Sequence, residues 1–461
     1  MSIDARRWRV AGAEDGLSFM SMSASDSGHG AASIDSRRVA LDVLQAVLRR
    51  SQPLEETLVR YPGFSALEPR DRAFVRLLVA TVLRRLGEID ALLAACLEKP
   101  LPDNADLVVD ALRIGAAQLL FLDTPAHAAV DTSVRLVAGS VLDRFKGLVN
   151  GVLRRVSRER DTLRPAPQDA GRLNTPAWLW DSWAAAYGEA ATQAMADQHL
   201  REAPLDFSLR DPATGAEWAR RLEADILPSG TLRRAAGGRI EDLPGYAEGA
   251  WWIQDAAAAL PVRLLGDLRG RSVIDLCAAP GGKTLQLLAG GARVTAVDLS
   301  ARRMARLADN LRRIGLAADL VTADAARWRP HAAADAVLLD APCSATGTLR
   351  RHPDIARAKG PADIARLAAV QDRLLAAAAD MLRPGGLLIY AVCSLQPQEG
   401  PDRVAAAVRA LPLDIQPVLP ADLPDLSEAI TPQGDVRTLP SFWAARGGMD
   451  GFYIARLHRR G

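Results

Sequence analysis

Residues 272–284 read SVIDLCAAPGGKT, a short apolar run that ends in a glycine-rich loop. Further apolar runs follow it, and helical patterns separate them. Strand and helix in alternation predict an α/β domain with a parallel, doubly wound, Rossmann-like sheet. The predicted strands are Ser272–Cys277, Arg293–Asp298, Asp319–Thr322, Ala336–Asp340 and Leu387–Val392. The predicted helices are Thr284–Leu288, Ala301–Ile314, Pro361–Leu382 and Pro401–Leu411. Ligands of such sheets bind outside the carboxyl ends of the strands, so functional residues are expected there.

The loop after the first strand fits one of three ligand classes best. A loop for nucleoside triphosphates requires GxxxxGK[ST], and Cys277 stands where its first glycine belongs. A dinucleotide loop requires GxGxxG, a spacing that this loop lacks. S-adenosylmethionine carries no phosphate, so it needs no full set of backbone amides. We therefore expect a cofactor site formed by Cys277, Ala278, Ala279, Pro280, Gly281, Gly282 and Lys283.

Acidic residues end the next strands. Asp298 can accept hydrogen bonds from both ribose hydroxyls of an adenosine ligand, or it can cap the following helix. Asp324, after the third strand, can accept from the adenine amino group. With Arg303 and Asp340, these residues complete an expected pocket for S-adenosylmethionine.

Two cysteines follow the fourth and fifth strands. Cys343 and Cys393 would each, alone, more often be small buried hydrophobic residues. Together, at equivalent strand ends beside a methyl donor, they indicate covalent catalysis. A thiolate that adds to carbon 6 of a pyrimidine makes carbon 5 nucleophilic toward a methyl group. Asp340 suits the accompanying hydrogen bond to ring N3. The sequence pattern does not rank the two thiols.

Four segments in this order, DLCAAPGGKT, VDLS, DAPCSATG and YAVCSLQP, resemble the RNA cytosine-C5 methyltransferases of the Nol/Nop/Sun family. The resemblance implies that Cys393 is the nucleophile and that Cys343 releases the product. Lys283 is expected either to reach toward the target base or to face solvent at the start of a helix. Val392 departs from the family's usual Thr, and Gly400 from its usual Asn, which affects rate and positioning rather than chemistry.

The N-terminal part of the chain has a different pattern. Apolar residues at three- and four-residue steps predict an all-α region from Ser36 to Ser157, interrupted at Pro100, Pro102 and Pro125. Its last part, Arg144–Arg164, is rich in Lys and Arg. Such a run is either a solvated helix face or a contact surface for nucleic acid phosphates.

The whole chain is predicted to contain four segments. These are a disordered leader at 1–33, an all-α domain at 34–164, a small α+β connector at 165–255 and the methyltransferase domain at 256–461. The helical domain resembles the NusB-like RNA-binding domain that is fused to one bacterial branch of the family, which methylates one cytosine in 16S ribosomal RNA. The segments RRHPDI (350–355) and GGMDGFY (447–453) resemble that branch as well.

Charge leaves the question of nucleic acid binding open, whereas the cysteine spacing excludes disulfide-rich and zinc-binding proteins. With 57 Lys and Arg against 55 Asp and Glu, the net charge of +2 neither requires nor excludes nucleic acid. The four cysteines show no CxxC spacing, so neither a disulfide framework nor a zinc or other metal site is expected. We expect a cytoplasmic monomer without membrane spans or secretory signal.

The expected partner is 16S rRNA, either free or in an early small-subunit particle. Two alternatives remain open: the same chemistry on tRNA or 23S rRNA, and a catalytically idle RNA-binding protein of ribosome assembly.

Overall fold

The computed structural model describes residues 30–164 and 166–461. The chain divides into two compact units, Met1–Ala170 and Gly171–Gly461. The predicted leader lies outside the described residues except for residues 30–33, which belong to the first helix.

The first unit consists of α-helices that pack around one apolar core. They are α1 (Gly30–Arg50), α2 (Leu54–Arg60), α3 (Pro62–Ser65), α4 (Pro69–Arg84), α5 (Leu86–Cys96), α6 (Asp106–Phe121), α7 (Ala126–Val137) and α8 (Lys146–Leu163). Val39, Val43 and Leu44 of α1 are fully or almost fully buried, which confirms the predicted helical spacing. Pro125 immediately precedes α7, where its fixed φ angle and missing N–H are tolerated.

The second unit begins with helices and a small antiparallel sheet. The unit boundary falls within α9 (Pro167–Asn174). The elements that follow, up to residue 253, are α10 (Ala177–Tyr187), α11 (Glu189–His199), β1 (Leu205–Leu209), α12 (Gly215–Leu222), β2 (Asp225–Ile226), β3 (Leu232–Arg234) and β4 (Trp251–Ile253). The strand order is β2-β3-β1-β4. Phe207 and Trp251 are both buried there, with ring centroids 4.8 Å apart in an edge-on arrangement. Residues 171–255 of the predicted connector therefore lie in the same unit as the residues that follow them.

The remaining residues form the large sheet and its helices. They are α13 (Leu260–Arg263), β5 (Ser272–Leu276), α14 (Gly282–Ala289), β6 (Arg293–Asp298), α15 (Ala301–Ile314), β7 (Asp319–Thr322), β8 (Ala334–Asp340), α16 (Ile355–Ala358), α17 (Pro361–Met381), β9 (Leu382–Val392), α18 (Pro401–Ala410), β10 (Leu413–Ile415), β11 (Val436–Arg437) and β12 (Tyr453–Arg459). The prediction of a doubly wound α/β domain is confirmed.

The large sheet has the order β10-β12-β9-β8-β5-β6-β7, and β11 pairs with β12. Strands β5 to β9 are parallel, whereas β12 is antiparallel to β9. The sheet is thus mixed rather than entirely parallel. Because the chain runs outward from β5 in both directions, the carboxyl ends of β5, β6 and β8 form the switch point where ligands of such sheets bind.

No helix in the described ranges is long and apolar enough to cross a membrane.

Candidate active site

The glycine-rich loop makes a tight turn between β5 and α14. Cys277 and Gly281 both have positive φ angles, 61° and 111°. A Cβ atom at Gly281 would lie 2.9 Å from Cγ of Leu307, so both the backbone angle and the close packing require glycine there. Burial, followed by the nearby carboxylates of Asp298 and Asp340, raises the pKa of the Cys277 thiol. This thiol is therefore protonated and does not compete as a nucleophile.

Asp298 holds the loop from the end of β6. Its carboxylate accepts hydrogen bonds from the backbone N–H groups of Ala279 (3.2 Å) and Ser300 (2.9 Å). Arg303 lies 3.6 Å from the same carboxylate and donates to the carbonyl oxygen of Ala279. The alternative role of Asp298 as a helix cap is not observed, because Ser300 is the N-cap of α15. Three predicted cofactor residues are thereby brought together.

Asp324 follows β7 at the same edge of the sheet. Its Oδ1 accepts from the backbone N–H of Ala326 (3.0 Å), and Arg327 lies 3.7 Å from its Oδ2. The side chain is 48% exposed, so it remains accessible to a ligand at the strand ends.

Lys283 and Asp340 form an ion pair beside the loop. The Lys283 ammonium lies 2.7 Å from Asp340 Oδ2 and 5.2 Å from the centre of the Phe452 ring. Lys283 is only 8% exposed, which rules out the alternative that it faces solvent.

Asp275, within the quoted stretch, is a residue that the sequence analysis did not single out. It is fully buried and accepts a hydrogen bond of 2.5 Å from the Thr284 hydroxyl. Burial raises the pKa of Asp275 to about 7. The sequence did contain a signal for Asp275, because it places a carboxyl group inside the apolar strand β5, where burial is costly.

The two catalytic candidates Cys343 and Cys393 meet at the ends of β8 and β9. Their sulfur atoms are 3.4 Å apart. The hydrogen bond with Cys393, followed by burial, raises the pKa of Cys343 well above its usual range. Cys343 is therefore a protonated thiol, and a second thiol lies in direct contact with it.

A buried carboxylate behind the cysteines was also missed. Glu399 accepts hydrogen bonds from Ser344 and Ser394, the residues that directly follow the two cysteines. All three are completely buried. Nothing in the local sequence indicates that these residues meet, because 55 positions separate Ser344 from Glu399.

The segments RRHPDI and GGMDGFY meet through buried ion pairs. Arg350 lies 3.0 Å from Asp255 and 3.2 Å from Asp450, and Arg351 pairs with the same Asp450. Arg350 also donates to the carbonyl oxygen of Gly447 at 2.7 Å. These contacts place the loop after Cys343 against the C-terminal segment.

In the first unit, part of the predicted basic run is paired locally. Arg155 and Arg158 both contact Glu159, at 2.9 and 2.7 Å, and Lys146 contacts Asp143 at 3.0 Å. Arg154 donates to the neutral Asn150, so its charge is not neutralised by that contact. The positive charge available to a ligand is thus smaller than the residue count suggests.

Sequence comparisons match both parts of the chain. The model of the family described as 16S rRNA methyltransferase RsmB/F matches residues 263–458, and that of the NusB family matches residues 34–158. A ribosomal RNA small subunit methyltransferase B from Cronobacter sakazakii is 33% identical over 443 residues, covering 93% of this chain and 99% of that protein. The protein of the same name from Klebsiella pneumoniae is 34% identical over 393 residues, covering 82% and 90%.

Solved structures share the fold. The crystal structure of PH0851 has a TM-score of 0.72 at 21% identity and covers 92% of this chain and 98% of its own. The structure of NSun6 from Pyrococcus horikoshii with SFG has a TM-score of 0.52 at 18% identity, covering 62% and 98%.

Proposed function

Because the chain belongs to the RsmB/F family of 16S rRNA methyltransferases, we propose that it methylates carbon 5 of one cytosine in small-subunit rRNA, with S-adenosylmethionine as donor. One observation carries the chemistry: two cysteine sulfurs lie 3.4 Å apart at the carboxyl ends of adjacent strands. Methylation of a base amino group requires no covalent step, so it gives no reason for this pair.

The strand ends fit S-adenosylmethionine. Asp298 and the half-exposed Asp324 offer acceptors for ribose hydroxyls and an adenine amino group. The left-handed Gly281 lets the loop backbone approach the ligand closely. The remaining predicted loop residues, Ala278, Pro280 and Gly282, contribute backbone rather than charge. When bound, S-adenosylmethionine supplies an electrophilic methyl group.

The side chains of this protein then account for the covalent chemistry. Cys393 releases its thiol proton to solvent, and the resulting thiolate forms a bond to carbon 6 of the cytosine, which gives carbon 5 the electron density that makes it a nucleophile. The Lys283 ammonium, whose Nζ lies 2.7 Å from Asp340 Oδ2, donates a proton to ring N3, and the Asp340 carboxylate then accepts a hydrogen bond from the N3–H group. In the last step carbon 5 gives its proton to water, the electrons of that bond form the double bond to carbon 6, and the Cys393 sulfur is expelled. The Cys343 thiol, 3.4 Å away, donates a proton to the departing sulfur, and the N3 proton returns to Lys283.

The target cytosine must leave its stack to reach Cys393, so the substrate is an unpaired or flipped-out nucleotide. We propose that the helical domain, residues 34–164, binds the rRNA backbone, with Arg154 among its phosphate contacts. In the same proposal, residues 165–255 form the connector and residues 256–461 the catalytic domain.

The test combines product mapping with two variants. Wild-type protein is incubated with labelled S-adenosylmethionine and protein-free 16S rRNA, and methylcytosine is mapped. We expect label at carbon 5 of one cytosine, no label with Cys393→Ala, and a trapped protein–RNA adduct with Cys343→Ala. Cys96→Ala, which removes a buried thiol from α5, is the matched control and retains activity.

Other outcomes identify the alternatives. Label on tRNA or 23S rRNA, but not on 16S rRNA, would keep the chemistry and change the substrate. Failure to label any RNA, including assembly particles, would favour the binding protein.

A further inference from the structure

The two catalytic cysteines lie beyond the hydrogen-bond ladder that aligns their strands. The parallel pairing of β8 with β9 ends at Asp340 and Ala391, and one further bond joins Ala341 N–H to the Ala391 carbonyl at 2.9 Å. Cys343 and Cys393 each follow two residues later. Strand pairing alone therefore does not fix the relative position of their sulfur atoms.

Beyond the ladder, Gly347 N–H donates to the Cys393 carbonyl at 3.0 Å and the Ser344 and Ser394 hydroxyls lie 3.1 Å apart, and Glu399 adds a charged group that binds both loops. Its Oε1 accepts from the backbone N–H of Ser344 at 2.9 Å, and its Oε2 accepts from the hydroxyls of both Ser344 and Ser394, the latter at 2.6 Å. Each serine directly follows a cysteine, and consecutive Cα atoms are only about 3.8 Å apart. One side chain thus holds both cysteine loops.

Glu399 is itself held in place. The Gln371 amide of α17 donates to Glu399 Oε1 at 3.1 Å and to the Pro342 carbonyl at 2.9 Å. The Tyr390 hydroxyl donates to the backbone carbonyl of Glu399 at 2.6 Å. Four donor groups converge on the two carboxylate oxygens, so this buried acid is fully hydrogen-bonded, as its burial requires.

We propose that Glu399 is a positioning residue that locks the Cys343 and Cys393 loops together and so couples attack by one thiol to release by the other. The coupling rests on the proposed function, whereas the locking concerns this chain alone. The negative charge of Glu399 also contributes to the raised pKa of Cys343, after the hydrogen bond with Cys393 and burial.

The first experiment tests the geometry without RNA or cofactor. Dibromobimane becomes fluorescent when it bridges two neighbouring thiols, and wild-type protein is expected to be bridged through Cys343 and Cys393. Cys343→Ala should not be bridged, which identifies the pair. With Glu399→Ala the bridging rate should fall by about tenfold or more, because the loops separate. An unchanged rate in Glu399→Ala would overturn the proposal.

Two further variants distinguish a role of Glu399 in positioning the cysteine loops from a general contribution to the stability of the fold. Glu399→Gln should recover most of the bridging rate, because serine hydroxyls accept hydrogen bonds as well as donate them. Asp435→Ala removes another buried carboxylate, which accepts from the Tyr453 hydroxyl at 2.5 Å and does not touch the cysteine loops. It should lower the melting temperature without changing bridging. Equal loss of bridging in Asp435→Ala and Glu399→Ala would reduce Glu399 to a general stabilising residue.

The second experiment measures the coupling on rRNA. Glu399→Ala should lower kcat on the order of tenfold to a hundredfold, the usual effect of misplaced catalytic groups. KM for RNA should stay within about twofold, and a protein–RNA adduct should accumulate, as with Cys343→Ala. A rise in KM alone, or a lower kcat without adduct, would overturn the coupling. Wild type that is bridged but methylates no RNA would refute the proposed function while leaving the locking intact.

Discussion

Asp275 is a residue whose ionisation should link stability to pH. An unfolded Asp ionises near pH 3.9, whereas burial raises the pKa of the folded Asp275 to about 7. Between these values the folded state binds more protons, so the contribution of Asp275 to stability falls as pH rises to about 7 and is constant above it. From pH 5 to pH 8 this loss is about 2–3 kcal/mol.

The measurement compares wild type with Asp275→Asn in urea at pH 5 and pH 8. Tryptophan fluorescence reports on the second unit, because every tryptophan except Trp8 lies at or beyond residue 178. Relative to wild type, the variant should gain about 2–3 kcal/mol between the two pH values. Asp335→Asn is the control: hydrogen bonds from Ser272 lower the pKa of Asp335, so its contribution is lost only below about pH 4. A difference for Asp275→Asn that does not change with pH would contradict the buried, protonated carboxyl.

At the scale of elements, the loop after β8 depends on close backbone contact with the C-terminal segment. Gly347 accepts a hydrogen bond from Gly451 N–H at 2.8 Å and donates to the Cys393 carbonyl at 3.0 Å. A Cβ atom at Gly347 would overlap the Gly451 carbonyl. Gly347→Ala should therefore displace the loop, destabilise the protein by about 1–3 kcal/mol and slow methylation on the order of a hundredfold.

Single-turnover methylation and thermal unfolding test this together. Gly360→Ala is the matched control, because Gly360 has an extended backbone (φ −143°) and a Cβ atom there meets nothing within 4 Å. It should lower stability by no more than about 1 kcal/mol, because glycine is preferred to alanine at an N-cap, and it should leave methylation unchanged. Wild-type activity in Gly347→Ala would show that the loop accommodates the methyl group.

The central elements were predictable because their sequence patterns are local. β6 and α15 have the predicted bounds, and β5 differs by one residue. β9 begins five residues before its predicted start. The segment Arg383-Pro384-Gly385-Gly386 is typical of a turn, so the sequence predicted no strand there. In the structure, a register shift near Ala334 lets Leu382 pair with β8 in spite of that segment. β12 was not predicted, because its strand character depends on pairing with β9 rather than on an apolar run.

The same distinction applies to the site. Asp298, Asp340, Cys343 and Cys393 were predictable because each lies at the end of a predicted strand. Glu399 was not, because its role comes from contacts with residues distant in the chain. The positions of the residues that we propose for catalysis and cofactor binding thus followed from the strand pattern, whereas the contacts of Glu399 required the structure.

At the scale of the whole molecule, the buried Arg233 joins the small sheet to the C-terminal segment. Arg233 of β3 makes two bonds of 2.6 Å to the Asp206 carboxylate of β1. It also donates to the carbonyl oxygens of Arg446 (3.0 Å) and Gly448 (2.6 Å). The Asp206 carboxylate additionally accepts from Ala256 N–H at 2.9 Å. The small sheet and the large sheet should therefore unfold as one cooperative body.

Arg233→Met tests this cooperativity because it breaks a buried pair and leaves Asp206 without its cation. The cost should be about 3 kcal/mol, which corresponds to roughly 100-fold faster amide hydrogen exchange by global opening. Hydrogen–deuterium exchange should show this acceleration in peptides from both sheets and not in α1–α8. Arg113→Met is the matched control in the first unit, where Arg113 pairs with Asp90 at 2.7 Å and Asp110 at 2.8 Å; its effect should be confined to α1–α8. Acceleration limited to β1–β4 in Arg233→Met would instead make the small sheet an independently unfolding domain.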